Sequence, residues 1–215
     1  MNQDMINKYI KEAHENAKDK GFYDCPVCLK NKFEFTDICP KCKGTGINPN
    51  KNIGELLMLI VSELGEALEA HRKNKYAYLD TIVNHDKFFN PECGITKEKS
   101  LERIFERDIK DTFEDEIADV FIRLFDLCGY LDVKYIDILP VPEMEWKSNN
   151  TAQQIRQLAK YFDNLDEDNL TNFDLIKGIY RVAEFANLYK IDIEKHIQLK
   201  MVYNKTRPRK HGEEY

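Results

Sequence analysis

The 215-residue sequence has no apolar run near the roughly 20 residues that a membrane-spanning helix needs, and its N-terminus lacks the apolar core of a signal peptide. Both absences point to a cytoplasmic chain with no membrane partner. Net positive charge is missing too: 32 Lys and Arg stand against 38 Asp and Glu, a formal net charge of −6. A mildly acidic chain does not attract nucleic acid or an anionic bilayer through bulk charge, so only a local basic patch is left for that role. Solenoid-length repeats and low-complexity tracts are absent as well, and order is expected over most of the length. With 42% apolar residues, the chain is long enough to bury a core and fits one domain, residues 1–215, with appendages.

What the chain has in quantity is helical periodicity, and one stretch organises the rest. In Asn52 to Arg72, NIGELLMLIVSELGEALEAHR, the residues Leu56, Leu57, Ile60, Val61, Leu64, Ala67 and Leu68 recur at steps of three and four, the spacing of a core-facing helical stripe. Asn52 followed by Glu55 marks the helix start. Glu63 lies at the edge of the stripe and Glu66 just beyond it, half-buried positions for two carboxylates. By themselves they read equally well as the first row of a solvated face.

A second stretch, Thr112 to Tyr130, repeats the arrangement as TFEDEIADVFIRLFDLCGY. Phe113, Ile117, Val120, Phe121, Leu124 and Leu127 form its stripe, Thr112 and Asp115 have capping-box spacing, and Glu116 sits at the margin with Asp119 one turn on. Arg123 and Asp126 read as a surface ion-pair row. Packed antiparallel, the two helices bring Glu63, Glu66, Glu116 and Asp119 together. Four like charges in one cleft make physical sense only around divalent cations, and an all-oxygen donor set favours Mg²⁺ or Mn²⁺ over Zn²⁺.

Residues 22–50 interrupt the helices with two Cys-x-x-Cys pairs, Cys25/Cys28 and Cys39/Cys42, separated by ten residues. Two such knuckles supply four thiolates to one tetrahedral, structural Zn²⁺ with no ligand position left for water. The competing readings are a redox dithiol, which would want a thioredoxin-like βαβ setting, and disulfides, which a cytosolic chain seldom keeps. Cys93 and Cys128 have no partner spacing and read as a loop thiol and a core residue.

The remaining periodicity predicts five more helices. The first runs from about Asn2 to Lys20 with Ile6, Tyr9, Ile10, Ala13 and Ala17 on one side and Gly21 as its stop. Others are expected over Lys99 to Ile109, Thr151 to Phe162 and Phe173 to Tyr189, the last with a Thr171/Asp174 capping box, while residues 133–150 with Pro140 and Pro142 read as extended. The final helix, within DIEKHIQLKMVYNKTRPRKHG, turns Ile193, Ile197 and Met201 inward, and Lys200 and Asn204 fall on that same side. A lysine facing a core needs a charge, either one of the carboxylates or a bound phosphate.

At these residues the sequence resembles a family. E-x-x-E on one helix and E-x-x-D on a later one, together with HENAKDKGF, NIGELLMLIVSELGEALEAHRK, IKDTFEDEIADVFIRLFDLCGYL and the final segment, in that order, are similar to segments of the MazG-like all-α nucleotide pyrophosphohydrolases. The resemblance covers a little under half the chain. It implies a helical bundle in which Mg²⁺ held by Glu63, Glu66, Glu116 and Asp119 binds a nucleoside triphosphate, and water attacks the α-phosphorus to give a monophosphate and pyrophosphate. It makes the stretch around His14 and Asn16 a wall of the nucleotide pocket, although spacing alone suits a solvated surface. It assigns Lys200 to a phosphate oxygen and Asn204 to the sugar or phosphate, with Arg207, Arg209 and Lys210 as a positive arm. Where the family carries a basic pair after HG, this sequence has Glu213 and Glu214.

Residues 22–50 and 132–190 are insertions relative to that pattern, the first a zinc loop and the second a helical hairpin. CPKCKGTG also resembles one cysteine-rich repeat of the DnaJ chaperones. The sequence thus leads to an all-α, homo-oligomeric enzyme, dimer or tetramer. Its alternatives are a dimeric dUTPase-like relative, or a non-enzymatic zinc-knuckle binding protein with a helical scaffold.

Overall fold

Short polar side chains stop and start the helices where the apolar stripes begin. In the computed structural model, which describes residues 1–30, 38–85, 89, 94–135, 141 and 143–212, α1 spans Gln3–Asp19, and the Asn2 side chain accepts from the Met5 N–H. Gly21 ends it with φ of 81°. A short α2 (Pro26–Lys30) leads to α3 (Ile53–Arg72), where Asn52 Oδ1 accepts from Glu55 N at 3.1 Å. There follow α4 (Asp80–Val83), α5 (Lys97–Asp108), α6 (Phe113–Tyr130), α7 (Thr151–Asp163), α8 (Asn172–Leu188) and α9 (Ile193–Thr206). The architecture is all-α; among the described residues the β structure amounts to one isolated bridge between Asp24 and Ile47. Cys93, Pro140, Pro142, Glu213 and Glu214 lie outside the described residues.

The centre of the bundle is α6. Its buried positions run around most of the helix, from Phe113, Ile117 and Ala118 to Phe121, Phe125, Leu127 and Cys128, and it packs on α3, α1, α9 and α8. Helices α3 and α6 are antiparallel, as contacts at both ends show. Lys51 N donates to the Tyr130 hydroxyl at 3.0 Å, while Phe113 N donates to Lys75 O at 3.0 Å beside the His71 ring. Helix α1 crosses α6 so closely that a Cβ on Gly129 would lie 2.4 Å from the Cβ of His14. Only glycine fits there.

The α7–α8 hairpin is no loose appendage. Ile155, Leu158 and Phe162 of α7, with Ile176, Ile179, Val182 and Phe185 of α8, belong to the same apolar core as α1, α3 and α6. Leu101 and Ile104 pack instead on a satellite cluster of Ile82, Phe105, Ile109 and Tyr203, where the Phe105 and Tyr203 rings stack at 4.4 Å. Of the three expected reciprocal caps, Thr171/Asp174 is reciprocal, whereas at Asn52/Glu55 only the Asn52 side chain accepts. The Thr112/Asp115 pair is not reciprocal either: Thr112 Oγ1 accepts from Asp115 N, but the Asp115 carboxylate turns to Asp111 N and to Lys200. Among the described residues, no helix is long and apolar enough to cross a membrane.

Candidate functional site

The antiparallel register of α3 and α6 sets Glu63 against Glu116 and Asp119, with one carboxylate oxygen of each within 4.8 Å of the others. Glu63 and Glu116 are buried and Asp119 is half-buried. Glu66 is not part of this trio. One turn further along α3 it is exposed, and it acts on Glu63 by repulsion.

Two cations meet the carboxylates inside the bundle. Lys200 Nζ of α9 lies 2.7 Å from Asp115 Oδ2 and 2.6 Å from Asp119 Oδ2, its side chain 6% exposed. Arg123 Nε donates to Glu63 Oε1 at 3.0 Å. The expected surface row of Arg123 and Asp126 is therefore wrong, because α3 and α1 pack over that face. Arg123 reaches across to Glu63. Asp126 Oδ1 accepts from the Tyr23 hydroxyl at 2.9 Å and lies 2.9 Å from His14 Nδ1.

The electrostatics register how crowded this centre is. Burial, then the Asp119 charge, pushes Glu116 up to about 9 and Glu63 up to about 7. Burial also lifts Asp115 to about 6 despite the pull of Lys200. Burial opposes the Lys200 charge, yet Asp119 and Asp115 together hold its pKa above the ordinary lysine value. Four carboxyl groups (Glu63, Asp115, Glu116, Asp119) thus face two cations, Lys200 and Arg123. Full ionisation leaves two negative charges, which either protons or one divalent cation can neutralise.

The other expected site residues are spread more widely. Asn204, one turn beyond Lys200, is buried with its Oδ1 lacking a hydrogen-bond partner, as is Asp115 Oδ1. Asn16 sits half-buried in the last turns of α1. Arg207 is tied to the end of α1, where Lys20 Nζ donates to the Arg207 and Lys205 carbonyls at 2.5 and 2.8 Å. Arg209 pairs with Asp24.

Sequence reasoning missed Asp115 and Arg123 as members of the site. Asp115 did carry a signal: it stands four residues before Asp119, a like-charge pair that an exposed helix face disfavours unless a cation bridges it.

The four cysteines converge as well. Cys25 and Cys39 sulfurs lie 3.8 Å apart, those of Cys28 and Cys42 3.5 Å, and all four fall within 4.8 Å of one another. Four sulfurs about 2.3 Å from one tetrahedral centre are spaced about 3.8 Å apart, so the cluster has the dimensions of a metal site. All are free thiols rather than disulfides. Lys43 N donates to Cys39 O and Thr45 N to Cys42 O, and the knuckle turns through positive φ at Lys43, Gly44 and Gly46. Burial disfavours the Cys42 thiolate, but hydrogen bonds from Cys28 and from the Gly46 and Gly44 N–H groups outweigh it and lower its pKa to about 6.

Compared with protein-family models, with curated proteins and with solved structures, the chain matches none, so the reading of these two sites rests on their geometry and chemistry.

Proposed function

We propose that the protein is a metal-dependent nucleoside triphosphate pyrophosphohydrolase on a MazG-type helical bundle, with a structural Zn²⁺ in the cysteine loop. The observation that carries the reading is the convergence of Glu63, Glu116 and Asp119, which with Asp115 would leave two negative charges beyond Lys200 and Arg123 when all four are ionised. Hard oxygen donors and a deficit of two positive charges fit Mg²⁺ or Mn²⁺. When bound, the ion supplies charge neutralisation for the triphosphate, polarisation of the α-phosphate and a more acidic water.

The chain's own residues do the rest. Arg123 fixes the Glu63 carboxylate, and Lys200 fixes Asp119 from the other side. Glu66 stays open to solvent one turn away, where it can complete the donor set or take a proton from water. Lys200 and Asn204 stand one turn apart on α9 as the groups closest in character to phosphate and sugar binders, with Asn16 and Arg207 at the periphery. The enzyme is read as cytoplasmic and homo-oligomeric. One observation favours a second reading, a non-enzymatic zinc-knuckle protein: Lys200 is already saturated by two carboxylates, as in a structural ion pair.

A panel of nucleoside and deoxynucleoside triphosphates, assayed with Mg²⁺ and with Mn²⁺ for pyrophosphate release, separates the two. Turnover of at least one substrate is expected, falling at least about 100-fold in folded Glu63→Gln or Asp119→Asn, the loss of about 2.7 kcal/mol of barrier lowering. A folded parental protein that releases no pyrophosphate with either metal refutes the enzyme.

A further inference from the structure

One open cavity lies apart from both sites, bordered by α7, α8 and residues 143–147. It measures about 480 Å³, and Lys147, Lys160, Lys177 and Arg181 line it against two carboxylates, Glu143 and Glu145. Glu184, whose carboxylate accepts from Met144 N and feels the Arg181 charge, adds a third carboxylate beside them, so the balance is four cations to three carboxylates, a small positive excess in a chain whose net charge is −6. Among the described residues none of the four cations forms a close ion pair, although the Arg181 charge acts on Glu184 one turn along the helix.

The cavity is built before any ligand arrives. Met144 N donates to Glu184 at 3.2 Å, Lys147 N to Gln157 Oε1 at 3.3 Å, and Gln157 Nε2 back to Glu145 O at 2.7 Å, which fastens the 143–147 segment onto both helices. Tyr161 is fixed by its hydroxyl, which donates to Asp174 O at 2.5 Å. Over its ring lies the Arg181 guanidinium at 4.2 Å, with Lys177 Nζ at 6.0 Å from the same ring. Stacking leaves the guanidinium edge for recognition, and Arg181 Nε is buried with no acceptor. A buried donor of that kind is costly until an acceptor meets it, and guanidinium forks are matched by phosphate oxygens.

We propose that this α7–α8 cavity is a second binding site, for a nucleotide di- or triphosphate whose phosphates meet Arg181, Lys177, Lys160 and Lys147. The rim carboxylates of Glu143 and Glu145 repel a bare polyanion and suit hydroxyl or amino donors, so the occupant joins phosphates to a group that carries such donors. A nucleoside does. The volume is that of a small-molecule pocket of nucleotide size. The site shares no residue with the carboxylate centre, and its occupancy needs no divalent ion there.

Trp146, the single tryptophan, packs on the core with its ring 5.8 Å from Phe185 and does not line the cavity, so occupancy is read by isothermal titration calorimetry. The full chain is titrated without added divalent metal against nucleoside 5′-diphosphates, inorganic pyrophosphate and, at matched ionic strength, sulfate. A saturable response to at least one diphosphate is expected, about tenfold tighter than to pyrophosphate and absent with sulfate. It should weaken at least about tenfold in Lys177→Gln/Arg181→Gln. Because Arg181 also packs on Tyr161, the exposed pair Lys147→Gln/Lys160→Gln is the second variant, expected to weaken binding with an unchanged melting temperature. Glu63→Gln should bind as the parent does, which keeps this site's failure distinct from failure of the carboxylate site. No saturable response, parental affinity in both cation variants, tighter binding of pyrophosphate than of any nucleotide, or loss of binding in Glu63→Gln overturns the proposal.

Discussion

Replacing Lys200 by methionine removes the positive charge between Asp115 and Asp119 while nearly preserving volume. The side chain is 6% exposed and that of Asp115 only 1%, so neither the ammonium nor its main partner has water to fall back on. Asp115 would keep one hydrogen bond, from Asp111 N, and its Oδ1 already has none. Removing one partner of a buried pair costs about 3–5 kcal/mol because the other charge is left uncompensated. For a chain of this size that lowers the melting temperature by roughly 10 °C.

The pH dependence follows from the sign of the Asp115 shift. Its folded pKa, already up to about 6 through burial despite the pull of Lys200, rises further once that pull is gone. A carboxyl whose folded pKa exceeds its unfolded value contributes its stability below the unfolded pKa and loses it as pH rises through the folded one. The deficit of Lys200→Met should therefore be small near pH 5 and grow steadily as pH rises above 6. Thermal melts of parent and variant across that range measure it directly. Adding Asp115→Asn, which keeps an acceptor for Asp111 N and deletes the orphaned charge, should restore at least half the loss. A deficit under about 1 kcal/mol at pH 7.5, or one that does not change with pH, would show that Lys200 does not hold the centre together.

Two further outcomes test the metal sites. Glu116, up to about 9, and Glu63, up to about 7, both favour the protonated folded state, so stability contributed below pH 4.5 is lost as pH rises through those values. A divalent cation offsets that loss where the carboxyls are ionised: millimolar Mg²⁺ should raise the melting temperature more at pH 8 than at pH 6, and an equal or absent shift counts against a cation at the trio. Metal analysis should find about one Zn²⁺ per chain, lost in Cys25→Ser or Cys42→Ser along with local order around the knuckles. Protein purified without chelator that carries no zinc would refute the assignment.

The helices were legible because their signals are local. Asn52, Thr112 and Thr171 each cap the helix the sequence places after them, and the stripes beginning at Leu56 and Phe113 are the buried faces. What periodicity cannot supply is the identity of the neighbour. Arg123 reads as surface on an isolated helix and becomes a partner of Glu63 only once α3 lies antiparallel on α6. Asp115 looks like half of a capping box until α9 delivers Lys200. Glu66 is spaced like a site residue, yet the register leaves it on the exposed side. The cysteines were readable for the opposite reason: two tight knuckles fix four sulfurs almost independently of the rest of the fold.

That independence has a physical limit, because a short loop cannot bury enough apolar area to orient itself on a bundle. Tyr23, two residues before Cys25, provides the anchor. It is 2% exposed, its ring stacks on Tyr130 at 5.6 Å and meets His14 edge-on at 4.7 Å, and its hydroxyl bonds Asp126. Asp126 lies one turn from Arg123 on α6 and its charge stabilises the guanidinium that holds Glu63. A line of side chains, Tyr23, Asp126, Arg123 and Glu63, therefore runs from the cysteine loop to the carboxylate trio, linked by hydrogen bonds at its two ends and by charge between Asp126 and Arg123. Orienting one member of such a line constrains the next. Tyr23→Phe should therefore loosen the loop and the Glu63 carboxylate together, and hydrogen exchange that changes around the cysteines alone would show that the line of contacts carries no coupling.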